Sequence, residues 1–391
     1  MSDSTAILFS IPYLKRTRFK RIFTTSETFT WQRYEILPKH ETSIGIFICD
    51  FIAHECVYFI IIFYLCTLKK VNNIIMKKII LLILCSLSCL TWSEAMEAEV
   101  CKFSVKDGKD LMLTHYYNVQ PDSVSKGCVI FVFGGSFARG KRDAKMYLSY
   151  FEWLCDNGYD VASIDYRLGM SKEYDNYGWK KGALGKLKRF KTAIEWARED
   201  MLDATTYVLQ NSNRWHIDRS RIIASGSSAG AITCLMAENA ICNGLAPASL
   251  KQEMTGSKSP YAAIISFAGA VFSTKGHPKW AQKPCPMMMF HGNSDKNVPY
   301  KKASMFGKGL WGSAYIFEQL EEMDCAYYFY DATYEDHRMA VSPMNENRGE
   351  IIDFIKQTVE KGKSLQIHKT VRNLTKPKQK TKFSPFVYLA Q

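Results

Sequence analysis

The sequence predicts an α/β fold, a mostly parallel sheet with helices on both faces. Three observations predict it. Apolar runs of strand length alternate with helical segments from about residue 100 to 360. Cys128 to Phe133 (CVIFVF) is apolar throughout, as a strand covered on both faces must be. Ser220 to Ser225 (SRIIAS) runs through Gly-Ser-Ser-Ala-Gly directly into a helix-forming stretch. Strands separated by helices require crossover connections, and those join parallel neighbours.

Element by element, Lys102 to Val105 and Leu111 to Tyr117 flank Lys106-Asp107-Gly108, a hairpin turn. Gly134-Gly135 ends the CVIFVF strand. A helix over Ala144 to Asn157, a strand over Tyr159 to Tyr166 and a long helix over Gly185 to Gln210 follow. Beyond Ser225, Ala229 to Asn239 is helical, and Ala262 to Ser266, Pro286 to Phe290 and Ala326 to Tyr330 are strands. Arg348 to Glu360 forms a closing helix. After Gly362 the chain turns polar and basic.

The net charge of +13 suggests a polyanion partner until it is localised. Residues 1–95 hold +4 and residues 361–391 hold +8, which leaves +1 for residues 96–360. The basic excess therefore belongs to the ends, and a charged tail is ordinarily a solvated one. No zinc-type Cys/His spacing, phosphate-binding loop, dinucleotide fingerprint or RNA-binding signature is present, so no metal, cofactor or nucleic acid is expected.

Met76 to Ala95 reads as an export signal. Lys77-Lys78 precede an uncharged run from Ile79 to Trp92, too short to span a bilayer, and Ser93-Glu94-Ala95 offers small residues for cleavage. A secreted or periplasmic protein without a membrane span in its mature form is expected. Such a signal works at an N-terminus, so translation is expected to start at Met76, with residues 1–75 an upstream extension. An anchor through Val57 to Leu68 is the alternative, and lipidation at Cys89 is disfavoured by Ser86. Seven cysteines follow Ala95, an odd number without the spacing of a stapled domain, and are expected to act as buried small hydrophobes.

The chemistry is carried by four segments in order. Gly226-Ser227-Ser228-Ala229-Gly230 fits G-x-S-x-G, a pattern that arises by chance in roughly one chain in ten of this length. Its position between strand and helix is the stronger signal, because there the serine sits on a tight turn that lifts its hydroxyl above the sheet edge. Phe133-Gly134-Gly135-Ser136-Phe137 follows an early strand, where amides can be aimed at an oxyanion; Gly135, Ser136 and Ala229 are the candidate donors. Asp295 lies in the loop after the Pro286 to Phe290 strand. A serine needs a base, and four histidines follow it: His277, His291, His337 and His368. His368 is in the tail, His277 lies in a polar loop, and His291 is better placed to support the Asp295 loop. His337 remains. Asp331 and Asp336 compete with Asp295 as the acid, but they belong to the base's own loop.

The segments FVFGGSF, SIDYRL, RIIASGSSAGA, FHGNSDKNVP and the loop holding Glu335-Asp336-His337 resemble bacterial carboxylesterases of the α/β-hydrolase superfamily. They are most similar in style to the hormone-sensitive-lipase-like and feruloyl-esterase-like groups. The resemblance covers about residues 99–360. It implies an eight-stranded, mostly parallel sheet and ester hydrolysis without a cofactor. It also implies Ser228 as nucleophile, Asp295 and His337 as its partners, and Gly135, Ser136 and Ala229 as the oxyanion hole. Phe133 stands where the family usually has His, and Ser136 where it has a third glycine. Asp165-Tyr166-Arg167-Leu168 matches a structural signature of the family.

Phe137 and the aromatics of the polar segment Gly169 to Leu187, Tyr174 and Trp179, are candidate substrate contacts; alternatively the segment's aromatics only pack that loop down. The substrate is expected to be a small-molecule or carbohydrate ester, acyl esters of polysaccharides among them. A serine exopeptidase of the prolyl-oligopeptidase type and a non-catalytic binding protein on the same scaffold are the competing readings. The expected organisation is an upstream extension over 1–75, a signal peptide over 76–95, a hydrolase domain over 96–361 and a basic disordered tail over 362–391.

Overall fold

In the computed structural model, residues 96–119, 125–179, 182–256, 258–305, 307–375 and 377 are described. The expected upstream extension, the export signal at 76–95 and the tail beyond 377 lie outside the described residues.

The chain opens with an antiparallel hairpin, β1 (Glu97–Lys106) and β2 (Lys109–Tyr117). Asp107 and Gly108 turn it with φ of 51° and 74°, the two positive values that match the twist of a tight hairpin. β3 (Lys126–Val132) follows, buried at every position. Helix α1 (Lys145–Asp156) leads to β4 (Tyr159–Ile164), and the long α2 (Ala183–Gln210) leads to β5 (Ile217–Ser227). α3 (Ala229–Cys242) starts at once, and nearly all its residues are buried, since it packs on both the sheet and α2. The short α4 (Ala248–Glu253) precedes β6 (Ala263–Phe267) and β7 (Ala270–Ser273). β8 (Met287–Gly292), β9 (Lys302–Met305), β10 (Lys308–Gly312), α5 (Ser313–Glu322) and β11 (Tyr327–Thr333) come next. A 3₁₀ turn (His337–Ala340), α6 (Pro343–Glu346), α7 (Arg348–Phe354), a π-helical segment (Ile355–Glu360) and β12 (Gln366–Arg372) complete the described chain.

The main sheet has the order β1-β2-β4-β3-β5-β6-β8-β11-β12. From β4 onward every neighbouring pair is parallel; β1 and β2 are antiparallel, as is β2 against β4. This is an α/β-hydrolase arrangement, a mostly parallel sheet surrounded by helices. Two features depart from the sequence expectation. The sheet holds nine strands rather than eight, and the ninth, β12, lies inside the region read as a disordered tail. It pairs in register with β11 from Tyr327↔Gln366 to Thr333↔Arg372. Its side chains are almost all exposed, so it has no apolar face to announce it. A second sheet, β7-β10-β9, is antiparallel and was not expected. No helix among the described residues is long and apolar enough to cross a membrane. All seven described cysteines are unpaired and buried.

Candidate active site

The junction of β5 and α3 is forced into one conformation by its neighbours. Ser228 has φ 52° and ψ −113°, a sparsely populated region for a residue with a side chain. Its N–H donates to the Phe267 carbonyl (2.8 Å), and its own carbonyl accepts from Ile232 N–H (2.9 Å). The flanking glycines are sterically required. A Cβ on Gly226 would lie 2.5 Å from the Gly230 carbonyl, and one on Gly230 would lie 1.9 Å from the Val132 carbonyl oxygen. The pentapeptide is thus the price of crossing a helix start closely over the end of β3.

His337 begins the 3₁₀ turn after β11. Its Nε2 lies 2.8 Å from Ser228 Oγ and its Nδ1 lies 2.7 Å from Asp295 Oδ2. A carboxylate only accepts, so Nδ1 carries the hydrogen and Nε2 is left to accept from the serine hydroxyl. Asp295 is buried. Its Oδ1 accepts from the amides of Asn297 (2.7 Å) and Val298 (3.0 Å). Burial alone would push its carboxyl up, but hydrogen bonds from His291 and His337 outweigh that and hold it far below the usual range. Ser228, Asp295 and His337 are therefore brought together from the ends of β5, β8 and β11. Asp331 and Asp336 are not part of this chain. Asp336 accepts from Arg338 N–H at the start of the turn (3.0 Å), and Asp331 faces His368 on β12 at 3.6 Å.

The turn after β3 abuts the serine. A Cβ on Gly134 would lie 3.3 Å from Ser228 Cβ. Gly135, Ser136 and Phe137 all have positive φ (133°, 57° and 59°), and the Gly135 carbonyl accepts from the Ala138 and Arg139 amides (3.0 and 3.1 Å). No acceptor among the described residues takes the N–H of Gly135, Ser136 or Ala229. Two tyrosines hold the turn at Phe133 and Gly134. Tyr166 Oη donates to the Phe133 carbonyl (3.0 Å) with its ring 4.6 Å from that of Phe133, and Tyr147 Oη accepts from Gly134 N–H (3.2 Å). The sequence reading missed both tyrosines as positioners of this turn.

It also missed the contacts that join the three loops. Ser227 Oγ donates to the Ala340 carbonyl (2.8 Å), tying the elbow to the turn that bears His337. Asn293 N–H and Ser294 N–H donate to the carbonyls of Ala332 and Glu335, and Asn293 Oδ1 accepts from Tyr334 N–H (2.8 Å). The loops that carry Asp295 and His337 are laced together by these bonds.

Each of the three expected substrate contacts packs against the protein itself. Phe137 is completely buried, edge-on to Tyr166 and Phe190, so its ring belongs to the core. Tyr174 is buried against Trp196, with Lys109 near its ring. Trp179 donates Nε1–H to the Tyr174 carbonyl (2.7 Å) and stacks on Tyr177. These aromatics fasten the segment to α2, and in that aromatic group Tyr177 alone is exposed (55%). Asp165, Tyr166 and Arg167 are structural: Asp165 pairs with Arg142, and Arg167 binds the buried Asp200.

Among the described residues no group of three or more His, Cys, Asp or Glu is arranged to hold a metal ion. A hollow of about 330 Å³ lined by Cys242, Ser259, Tyr261 and Cys285 lies at the opposite rim of the sheet, where β6 and β8 begin, and none of the site residues line it.

No family profile and no curated protein matches the chain. Among solved structures it is similar to esterase 2 of the planctomycete Thermogutta terrifontis. The apo form of that esterase aligns at 18% identity over 71% of this chain and 100% of its own, with a TM-score of 0.46. The form phosphoramylated by tabun aligns at 20% identity over 70% and 98%, with a TM-score of 0.47. A propionate-bound form aligns at 19% over 68% and 92%, with a TM-score of 0.45.

Proposed function

We propose that the protein is a serine hydrolase that cleaves carboxylic esters through an acyl-enzyme. The observation that carries this reading is the pair of short hydrogen bonds in series, Asp295 to His337 (2.7 Å) and His337 to Ser228 (2.8 Å), ending on a strained serine. His337 Nε2 takes the hydroxyl proton as Ser228 Oγ attacks the ester carbonyl, and Asp295 steadies the imidazolium. The amides of Gly135, Ser136 and Ala229 receive the oxyanion, a contribution of about 3–4 kcal/mol per donor in comparable enzymes. His337 then returns the proton to the departing alcohol. Water repeats the sequence on the acyl-enzyme and releases the acid.

The test is labelling by a fluorophosphonate probe in wild type and Ser228→Ala, with turnover of p-nitrophenyl acetate and of aminoacyl-p-nitroanilides measured in parallel. Labelling lost in the variant and turnover of the ester alone support an esterase. Turnover of the anilides points to an exopeptidase, and an unlabelled wild type to a binding protein. Among esters we favour acyl esters of polysaccharides, on the export-type segment at 76–95. A panel of acetylated and feruloylated glycans checks this, and indifference to the glycan removes it.

A further inference from the structure

The site holds a second imidazole that the reaction sequence above does not use. His291, at the end of β8, is completely buried. Its Nε2 lies 3.2 Å from the Val298 carbonyl and 3.4 Å from Asp295 Oδ2. Both neighbours only accept, so Nε2 carries a hydrogen in either protonation state. Its Nδ1 lies 2.8 Å from Ser313 Oγ at the start of α5, and in the neutral ring it accepts from this hydroxyl. The alternative acceptor for Ser313, the Gly269 carbonyl, is farther away at 3.4 Å. Tyr300 stands edge-on to the ring at 5.7 Å. Every polar atom of His291 is thus engaged, and the ring cannot turn without breaking one contact on each side.

We propose that His291 is a positioning residue that shares Asp295 Oδ2 with His337 and thereby tempers the pull of the carboxylate on the base. The proposal rests on the hydrolase reading above. A base that must start neutral is poorly served by an unopposed buried carboxylate, which favours its charged form. The His291 N–H, engaged by the Val298 carbonyl at 3.2 Å and 3.4 Å from the same Asp295 oxygen, drains part of that negative charge while keeping the oxygen aimed at His337. The Asn297 and Val298 amides do the same for Oδ1.

Other charged or titratable groups face this cluster. From the base loop come Glu335 and Arg338, 3.4 Å apart. From β11 comes Asp331, the register partner of His291. Tyr300 is near, its phenol pushed far up by burial, and Lys296 follows Asp295 in the chain. None of them is altered by a substitution at 291.

The experiment compares the pH dependence of kcat/KM for p-nitrophenyl acetate in wild type, His291→Gln and His291→Phe, with fluorophosphonate labelling of each. His291→Phe removes the N–H and is expected to move the acid limb upward by about 0.5–1 pH unit. His291→Gln still offers an amide N–H and is expected to leave the limb close to the wild-type position. A purely structural role would lower turnover or stability in both variants without moving the limb. An active His291→Phe with an unmoved or lowered limb overturns the proposal. Should His291→Phe fail to fold, proton NMR of wild type and His291→Gln decides. Two slowly exchanging downfield imidazole N–H signals in wild type, one of them missing in the variant, support it, and a single signal overturns it. A wild type that is neither labelled nor active sinks the hydrolase reading itself, a separate outcome from an unmoved limb in an active variant.

Discussion

Two histidine–aspartate pairs with buried carboxylates sit at opposite rims of the same sheet. At the rim where β5, β8 and β11 end, His337 bonds Asp295 at 2.7 Å. At the other rim, His115 on β2 bonds Asp160 on β4 at 2.8 Å. The pairs are nearly identical in length, yet only in the first does the ring's second nitrogen meet a serine hydroxyl. His337 keeps 23% of its side chain exposed and points its second nitrogen at a serine. His115 keeps 3% exposed, is sandwiched between Tyr117 and Trp215, and its Nδ1 has no hydrogen-bond partner. Lys126 also lies 3.0 Å from Asp160, which neutralises the carboxylate from within the fold. An imidazole held by a carboxylate is a base in waiting only where a nucleophile and a path for substrate meet its other side.

The largest expected contrast comes from the rings themselves. His337→Ala or Ser228→Ala should lower ester turnover by at least about 10⁴-fold, since members of such a chain act as a unit. His115→Gln should leave turnover within about twofold. It should instead lose roughly 2 kcal/mol of stability, the worth of a hydrogen bond to a charged group, seen as a Tm lower by about 4–8 °C. Turnover falling steeply in His115→Gln would erase the distinction.

The acids separate next. Asp295→Asn should cost about 10⁴-fold in kcat, because the ring loses both its tautomer and the partner of its charged form. Asp160→Asn leaves Lys126 buried without a carboxylate and should cost about 3–5 kcal/mol of stability with little change in turnover of the folded fraction. Urea unfolding beside an ester assay checks both.

A smaller, sharper test lies in the pH profile. Asp295 is held far below the usual carboxylate range. An acid with a depressed value in the fold stays ionised while the pH falls past its unfolded value; its stabilisation declines progressively from there and is gone below the folded value. The acid limb of kcat/KM should therefore belong to the base alone and fall with a slope of one proton. A slope of two would mean that Asp295 protonates within the working range.

What could be read from the sequence divides along the same physical line. Ser228 was legible because a strand running into a helix leaves room only for glycine at positions 226 and 230, and that need is written in residue types. Asp295 and His337 were legible by order and by elimination. The substrate contacts were not, because an aromatic in a loop does not declare which way it faces. Phe137 has a φ of 59° and its ring enters the core beside Phe190, a fact of backbone geometry absent from composition. Tyr147, Tyr166 and Ser313 reach their partners from 13 to 33 residues away without any periodic pattern. The strand β12 escaped for the opposite reason. Exposed on both faces, QIHKTVR lacks the apolar alternation that marks a half-buried strand.

That strand supplies a third histidine–aspartate pair, and with it the smallest expected effect. His368 faces Asp331 at 3.6 Å with 39% of its side chain exposed, and it stacks on Phe329 and near Phe317. Solvent screens a pair of this kind, so the ionic part is worth under about 1 kcal/mol. His368→Gln should leave turnover unchanged and move the Tm by no more than about 2–4 °C. Raising the salt concentration should shrink even that difference, because screening acts on exposed pairs first. The ordering of the three rings then follows from surroundings alone. Water dominates at His368, packing at His115 and a serine at His337, while the carboxylate beside each is common to all. A His368→Gln variant as damaged in turnover as Asp295→Asn would show that the β11–β12 edge feeds the base loop directly, and the separation by surroundings would fail.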